Sequence, residues 1–262
     1  MLPVLRATRY DGRLKVGKTR PILISATAED GSEHDVVVKF AHRMERGWPG
    51  ILAEAMAAML ARDLGMGVPT PFAIRISEAF VSSIVEPEAA EDFMKAMPVT
   101  FGTELLVGMN AISTDTPFSD ALIAQAGDAF AFDVALDNTD RRLENPNCLC
   151  DGKRMVLLDH ELTFFFGTLF WQEPWNVGAL ETWKAGVPHL FYSRIRGKNL
   201  SFTRLSTALG GVTPQQCDAY VAALPDEWRA DFYEEAQEMA DYIKALVANA
   251  PAVITEVRRV LA

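Results

Sequence analysis

The chain has 262 residues, 49% of them apolar and 23% charged, with a net charge of −10. A chain this long and apolar buries a core without disulfides or structural metal, and the acidic balance argues against binding to phosphate backbones or anionic membrane surfaces. Three cysteines, Cys148, Cys150 and Cys217, lack the spacing of a zinc site or a disulfide framework. No apolar run reaches the length of a membrane span, and no secretory leader is visible, so a cytoplasmic protein is the expectation.

In chain order, residues 1–40 read as strands. Ile22 to Thr27 and Val36 to Phe40 are β-branched, apolar runs separated by a turn at Glu29-Asp30-Gly31-Ser32. A helix is expected from Pro49-Gly50, with Leu52, Met56, Met59, Leu60 and Leu64 along one face, ended by Gly65 and Gly67 ahead of Pro69 and Pro71. Phe72 to Val85 alternates like a strand, and Phe101 to Val107 reads as a strand or connector. Asp120 to Leu136 is an apolar helix, 137–147 a polar loop, and Met155 to Leu158 a short strand. Helices are expected at 201–208, 214–223, 226–247 and 251–261. A strand-rich first third followed by a helix-rich remainder predicts an α+β fold with two lobes. Cys148-Leu-Cys150 is expected on a short strand with one thiol inside. The cluster Phe164-Phe-Phe166, Phe170, Trp171 and Trp175 reads as core, with an acceptor or partner surface as its alternative.

Two motifs compete for the chemistry. Gly12-Arg-Leu-Lys-Val-Gly17-Lys18-Thr19 matches the phosphate-binding P-loop literally, and Val156 to Asp159 has the form of its partner strand. That motif works where the glycine loop opens a helix whose amides cradle phosphate. Here Thr19 is followed by Arg20, Pro21 and a β-branched run, so a strand is expected instead.

The second motif is a set in fixed order: Lys39 at the end of an apolar strand, Glu54 on the next helix, Asp140 and Asn145 in the polar loop, and Asp159 after a second apolar strand. Taken singly, each has an ordinary explanation: an edge lysine, a surface helix glutamate, turn formers, a strand-end cap. Together they supply what phosphoryl transfer from ATP needs. A cation meets the phosphates, one carboxylate orients it, another takes the acceptor's proton, and two oxygen donors hold Mg²⁺.

The run Asp137-Asn-Thr-Asp-Arg141 with Asn145 behind it, the Leu-Asp-His strand end at 158–160, the Lys39 strand, the Glu54 helix and Gly65-Met-Gly-Val-Pro69 resemble the HipA-like kinases, relatives of the type II phosphatidylinositol 4-kinases. The resemblance spans about residues 5–165. It implies a single kinase-like domain over 1–262, with a strand-rich N-terminal lobe at 1–107, a helical C-terminal lobe at 108–262, and ATP and Mg²⁺ between them. By position it implies that Lys39 contacts the phosphates, Glu54 holds Lys39, Asp140 is the catalytic base, Asn145 and Asp159 are metal ligands, and residues 12–20 cover the phosphates with Gly17, Lys18 and Thr19 at the tip. Two features depart from eukaryotic protein kinases: the loop lacks the three-glycine pattern, and Asp159 is followed by His160-Glu161. The implied reaction is phosphate transfer to a hydroxyl, first of all a protein Ser/Thr, and the family also implies a toxin role with a neutralising partner protein. A lipid or small-molecule acceptor, a P-loop NTPase using Lys18 and Thr19, and a nucleotide-binding pseudokinase-like module remain as alternatives.

Overall fold

The computed structural model describes residues 2–14, 19–166, 171–185 and 188–262. Gly17, Lys18 and Phe170, singled out above, lie outside the described residues.

Five strands form a closed barrel: β1 (Val4–Arg13), β2 (Ile22–Thr27), β3 (Glu33–Lys39), β4 (Pro71–Arg75) and β5 (Val99–Glu104), in the order β1-β2-β3-β5-β4. The β2–β3 pair is the expected hairpin, with Thr27 opposite Glu33 across the Asp30-Gly31 turn. β4 closes the barrel by pairing parallel with β1, Val4 opposite Ala73. Alternation along β3 sends Val36 and Val38 into the barrel, fully buried, and turns Val37 and Lys39 to the other face.

Two elements correct the expectation. Phe72 to Val85 is not one strand: β4 stops at Arg75, and α2 (Glu78–Ser83) follows. Ser77 caps that helix by accepting from the Phe80 amide, and Ile76, Phe80 and Ile84 recur at four-residue spacing, which suits a helix face as well as it suits alternation. The segment beyond it contains a helix that the sequence reading omits, α3 (Pro87–Ala96), and β5 runs earlier than Phe101–Val107. Both helices pack on the barrel, where Phe80 and Phe93 join Phe40, Ile22 and Ile74 in one cluster of buried side chains.

Helix α1 (Trp48–Asp63) follows β3 and a single helical turn at Ala41–Arg43. It is buried on nearly every side rather than along one face, because five alanines between positions 53 and 61 let neighbours approach closely. Gly65, at φ 67°, ends it in the left-handed conformation. Two single-turn helices, α5 (Thr182–Ala185) and α6 (Tyr192–Ile195), follow α4 (Asp120–Ala135), and a second, larger cluster joins α1 to α4, α7 (Pro214–Ala223), α8 (Asp226–Ala248) and α9 (Ala250–Leu261). The segment expected as a helix at 201–208 is a π-helical turn at Arg204–Ala208 followed by a 3₁₀ turn. A small antiparallel sheet, β6 (Asn110–Ala111), β7 (Cys148–Cys150) and β8 (Met155–Leu157), lies next to α4. Both Cys148 and Cys150 are buried, since residues two apart on a strand share a face.

The aromatic cluster is largely interior. Phe164 is buried, and Phe166, Trp171 and Trp175 gather round Tyr242 of α8, whose hydroxyl donates to the Ala135 carbonyl at 2.5 Å. Phe165 is exposed and lies under the Arg46 guanidinium, 4.9 Å from the ring centre.

Candidate active site

A cleft of about 470 Å³ opens between the barrel and the small sheet, with Val37, Lys39, Glu54, Leu157 and Asp159 among its lining residues. Thr19, Asn145 and Cys148 line it as well. A smaller cavity of about 310 Å³ lies on another side of α1, between Met59, Thr70 and Tyr220, away from these groups.

Lys39 leaves the outer face of β3 toward α1 and meets two carboxylates. Its ammonium is in contact with Glu54 and donates to Asp159 Oδ1 at 3.0 Å. Residues 120 positions apart in sequence thus share one charge centre. Burial works against the charged lysine, but Asp159 and Glu54 outweigh it and hold the ammonium above its ordinary value. Glu54, only 3% exposed, is pushed up to about 7 by burial, with Lys39 pulling the other way. Burial also opposes ionisation of Asp159, yet Lys39 keeps that carboxyl below the usual range. One cation between two carboxylates favours the anion on the more open of them. His160 follows Asp159 and is wholly interior; burial, then the nearby Arg141, press its imidazole down to about 3, so it is neutral.

Asp159 adopts φ 57°, as do Asp137 (58°) and Asn147 (43°) in the polar loop. Asp and Asn tolerate this left-handed backbone best, because their short side chains bond locally. The loop folds back on itself, with Arg142 N–H donating to the Asn145 carbonyl at 3.0 Å and the Asn145 N–H returning the bond at 3.2 Å. Asp140 receives the side-chain amides of Asn145, at 2.6 Å, and of Asn147, at 3.2 Å, and a contact from Arg142 at 3.3 Å. With its Nδ2 committed to Asp140, Asn145 keeps its carbonyl oxygen as an acceptor. Asp159 and Asn145 therefore offer a hard, all-oxygen donor pair, the kind Mg²⁺ takes alongside phosphate oxygens and water. Among the described residues, no group of three or more His, Cys, Asp or Glu is arranged to hold a metal by itself.

The structure thus gathers Lys39, Glu54 and Asp159 directly, and Asp140 with Asn145 beside them. Thr19 lies in the cleft wall, 9% exposed. After Thr19 the chain enters strand β2, so the helix that P-loop phosphate binding requires is not there. The flanks of this segment are tied to α3. Arg13 reaches Asp92 at 2.9 Å, and Arg20 holds Glu88, with Nη2 to Oε2 at 3.0 Å.

The sequence marks Arg141 for pairing with a carboxylate or a phosphate, but sequence reasoning missed its partner Asp133 and the place of His189 behind the loop. Asp133, on α4, and Arg141 are both fully inaccessible and paired at 2.6 Å, with His189 Nε2 3.0 Å from the same carboxylate. An aspartate inside the apolar run Ala129-Phe-Ala-Phe-Asp-Val-Ala135 was a readable signal. For His189 there was none.

The barrel and the small sheet thus flank a cleft that holds a paired lysine, with an Asp/Asn/Asp set beside it. A model of the HipA-like kinase family matches residues 9–169, more than half of the chain, and the chain belongs to that family. The crystal structure of a Helicobacter pylori proinflammatory kinase, CtkA, is similar in fold, with a TM-score of 0.53 at 12% identity over 98% of each chain. A Leishmania major MAP kinase aligns over 96% of this chain and 81% of its own at 12% identity, with a TM-score of 0.29. No curated protein matches the sequence.

Proposed function

We propose that this protein is an ATP- and Mg²⁺-dependent kinase that transfers the γ-phosphoryl group to a hydroxyl, with a protein Ser/Thr as the acceptor. The observation that carries the reading is Lys39, held between Glu54 and Asp159 at the wall of a cleft that Asn145 also lines. The reading treats 1–262 as one kinase-like domain, with lobes at 1–107 and 108–262 and the nucleotide between them. The apolar stretch of the cleft, with Val37, Leu106 and Leu157, suits a purine ring, and Lys39 suits the phosphates beside it. Asn145 and Asp159 would hold Mg²⁺, which supplies charge neutralisation on the phosphates when bound. Asp140, hydrogen-bonded by two amides that orient it, accepts the proton of the attacking hydroxyl.

No helix among the described residues is long and apolar enough to cross a membrane, and the net charge of −10 disfavours an anionic lipid surface. A protein acceptor fits that balance better than a lipid one. A toxin role with a neutralising partner protein is suggested by the family and belongs to the same reading.

Nucleotide binding separates this mechanism from the P-loop alternative. Lys39→Ala should abolish measurable Mg-ATP binding in a calorimetric titration, while Lys18→Ala weakens it modestly. The reverse ranking refutes the assignment. Incubation with γ-labelled ATP and a cell lysate, followed by identification of the labelled species, distinguishes protein, lipid and small-molecule acceptors. Label confined to inorganic phosphate refutes a kinase and favours an NTPase.

A further inference from the structure

Arg141 directly follows Asp140, yet its side chain turns away from the cleft into the interior, where it is 0% exposed. Its guanidinium makes four hydrogen bonds to oxygen, with a longer contact of 3.4 Å from Nη2 to His160 Nε2. Nε donates to Asp133 Oδ2 at 2.6 Å, and Nη2 to Asp133 Oδ1 at 3.1 Å. Nη1 donates to the Asn147 carbonyl and, at 3.1 Å, to the Leu158 carbonyl. Asn147 closes the loop that carries Asp140 and Asn145, and Leu158 immediately precedes Asp159. The two segments also bond each other, with the Leu158 amide donating to the Asn147 carbonyl at 2.8 Å.

The other side of the network is equally occupied. Asp133 accepts from His189 at 3.0 Å and from the Asn138 side chain at 2.9 Å, and the Asp140 amide lies 3.4 Å from Asn138 Oδ1. The Arg141 carbonyl in turn accepts from the Leu190 amide at 2.8 Å, and Arg142 bridges to His189 across the backbone. A buried ion pair is a poor means of filling space, because apolar side chains of equal volume do so without desolvating charge. A planar fork that meets one carboxylate and two carbonyls from different segments is something only arginine provides; lysine cannot reproduce it.

We propose that Asp133 and His189, acting through Arg141, are positioning residues that fix the distance between Asp140 on the loop and Asp159 at the strand end. The inference rests on the kinase reading for its catalytic consequence, but its structural content stands apart from it. Small displacements of reacting groups are costly: about 1 Å can lower a rate on the order of 100-fold. The network meets the residues that hold Lys39 indirectly: His160 Nε2 lies 3.4 Å from Arg141 Nη2, and His160 Nδ1 lies 3.9 Å from Glu54 Oε2.

The test uses the full chain and three variants: Arg141→Lys, Asp133→Asn and the milder His189→Gln. Hydrogen exchange on peptides spanning 138–149 and 155–161 should accelerate about tenfold or more in each folded variant, with the α8 and α9 peptides unchanged. In kinetics, kcat should fall about 10- to 100-fold, and the Mg²⁺ concentration for half-maximal rate should rise severalfold, with KM for ATP altered less than about threefold. His189→Gln should show the smallest effect, because its amide can still donate to Asp133. A merely structural role would lower the folded fraction and leave the Mg²⁺ requirement and the rate per folded molecule unchanged. That outcome, or unaltered exchange in the two peptides, overturns the proposal. If wild type transfers no phosphate and Lys39→Ala binds Mg-ATP normally, the kinase reading has failed, and the exchange measurement still decides whether the network clamps the two segments.

Discussion

Gly67 lies where the chain leaving α1 passes β8 on its way to β4. The Leu157 amide donates to its carbonyl at 2.8 Å, and a Cβ built on Gly67 would come 2.1 Å from the Met155 carbonyl oxygen. A carbon and a carbonyl oxygen normally approach to roughly 3.3 Å, so Gly67→Ala must open this seam by about an ångström. The obstacle is strand backbone, which cannot swing aside as a side-chain tip would. Loss of the Leu157 bond costs about 0.5–1.5 kcal/mol, and forced repacking adds about 1–3 kcal/mol. Gly67→Ala should therefore destabilise the protein by roughly 2–4 kcal/mol, a fall of about 5–15 °C in Tm for a chain of this size. Urea denaturation of the purified protein measures it, with Gly210→Ala as the control, since a Cβ there meets nothing within 4 Å. Because β8 leads straight to Asp159, the folded fraction of Gly67→Ala should also bind Mg-ATP more weakly. A Gly67→Ala protein within 0.5 kcal/mol of wild type, estimated to the usual scatter of neutral surface changes, would refute the seam as described.

Asp140 and Asp159 should fail differently. Asp159→Asn is expected to lose most of the Mg-ATP thermal shift, which at 100 times Kd corresponds to about 2.7 kcal/mol, whereas Asp140→Asn keeps the shift and loses about 10²–10⁴-fold in transfer rate. Two variants with equal shifts and equal rates would remove both from the site. His189 carries the pH prediction. Burial presses its imidazole below the ordinary value while Asp133 pulls upward, so the native state takes up fewer protons there than the unfolded chain. Its contribution to stability is complete above about pH 6.5 and drains away as pH falls, by on the order of 1 kcal/mol per pH unit. Side-chain nitrogen NMR should find the His189 inflection below the free imidazole's value of about 6.5; an inflection at or above that value would contradict the buried pairing. Asp133 acts in the same direction at lower pH: burial opposes its charge, but Arg141 and His189 prevail and hold it well below the carboxylate range.

Much of the candidate site was legible because its residues sit in short, local patterns that the structure brings together. A lysine ending an apolar strand, a glutamate on the following helix, and an Asp-Asn loop ahead of a second strand-end aspartate are local features, each set by two to eight neighbouring residues. The same locality made the β2–β3 hairpin, α4, α7 and α9 readable, since turn residues and helical periodicity act within a few positions. The P-loop match failed on a local feature too, the proline and β-branched run after Thr19, and the strand there agrees with it.

What the sequence left open is what depends on distance through space. Ile76 to Ile84 satisfied both a strand and a helix pattern, and packing of Phe80 against Phe93 on the barrel accompanies the helix. The apolar stripe on α1 suggested one buried face, but only the barrel on one side and the helices on the other bury it all round, and with it Glu54. That burial, not the identity of the residue, pushes the Glu54 carboxyl up and makes its contact with Lys39 matter. Asp159 and Lys39, 120 residues apart, meet because the barrel and β8 converge on the same cleft. Asp133, Arg141 and His189 likewise acquire a role only when α4, the loop and the segment before α6 (Tyr192–Ile195) close around one another. Residue chemistry is written in the chain, but the energy of a charge pair depends on its separation and on how far burial lowers the local dielectric, so which charges couple was decided by the fold.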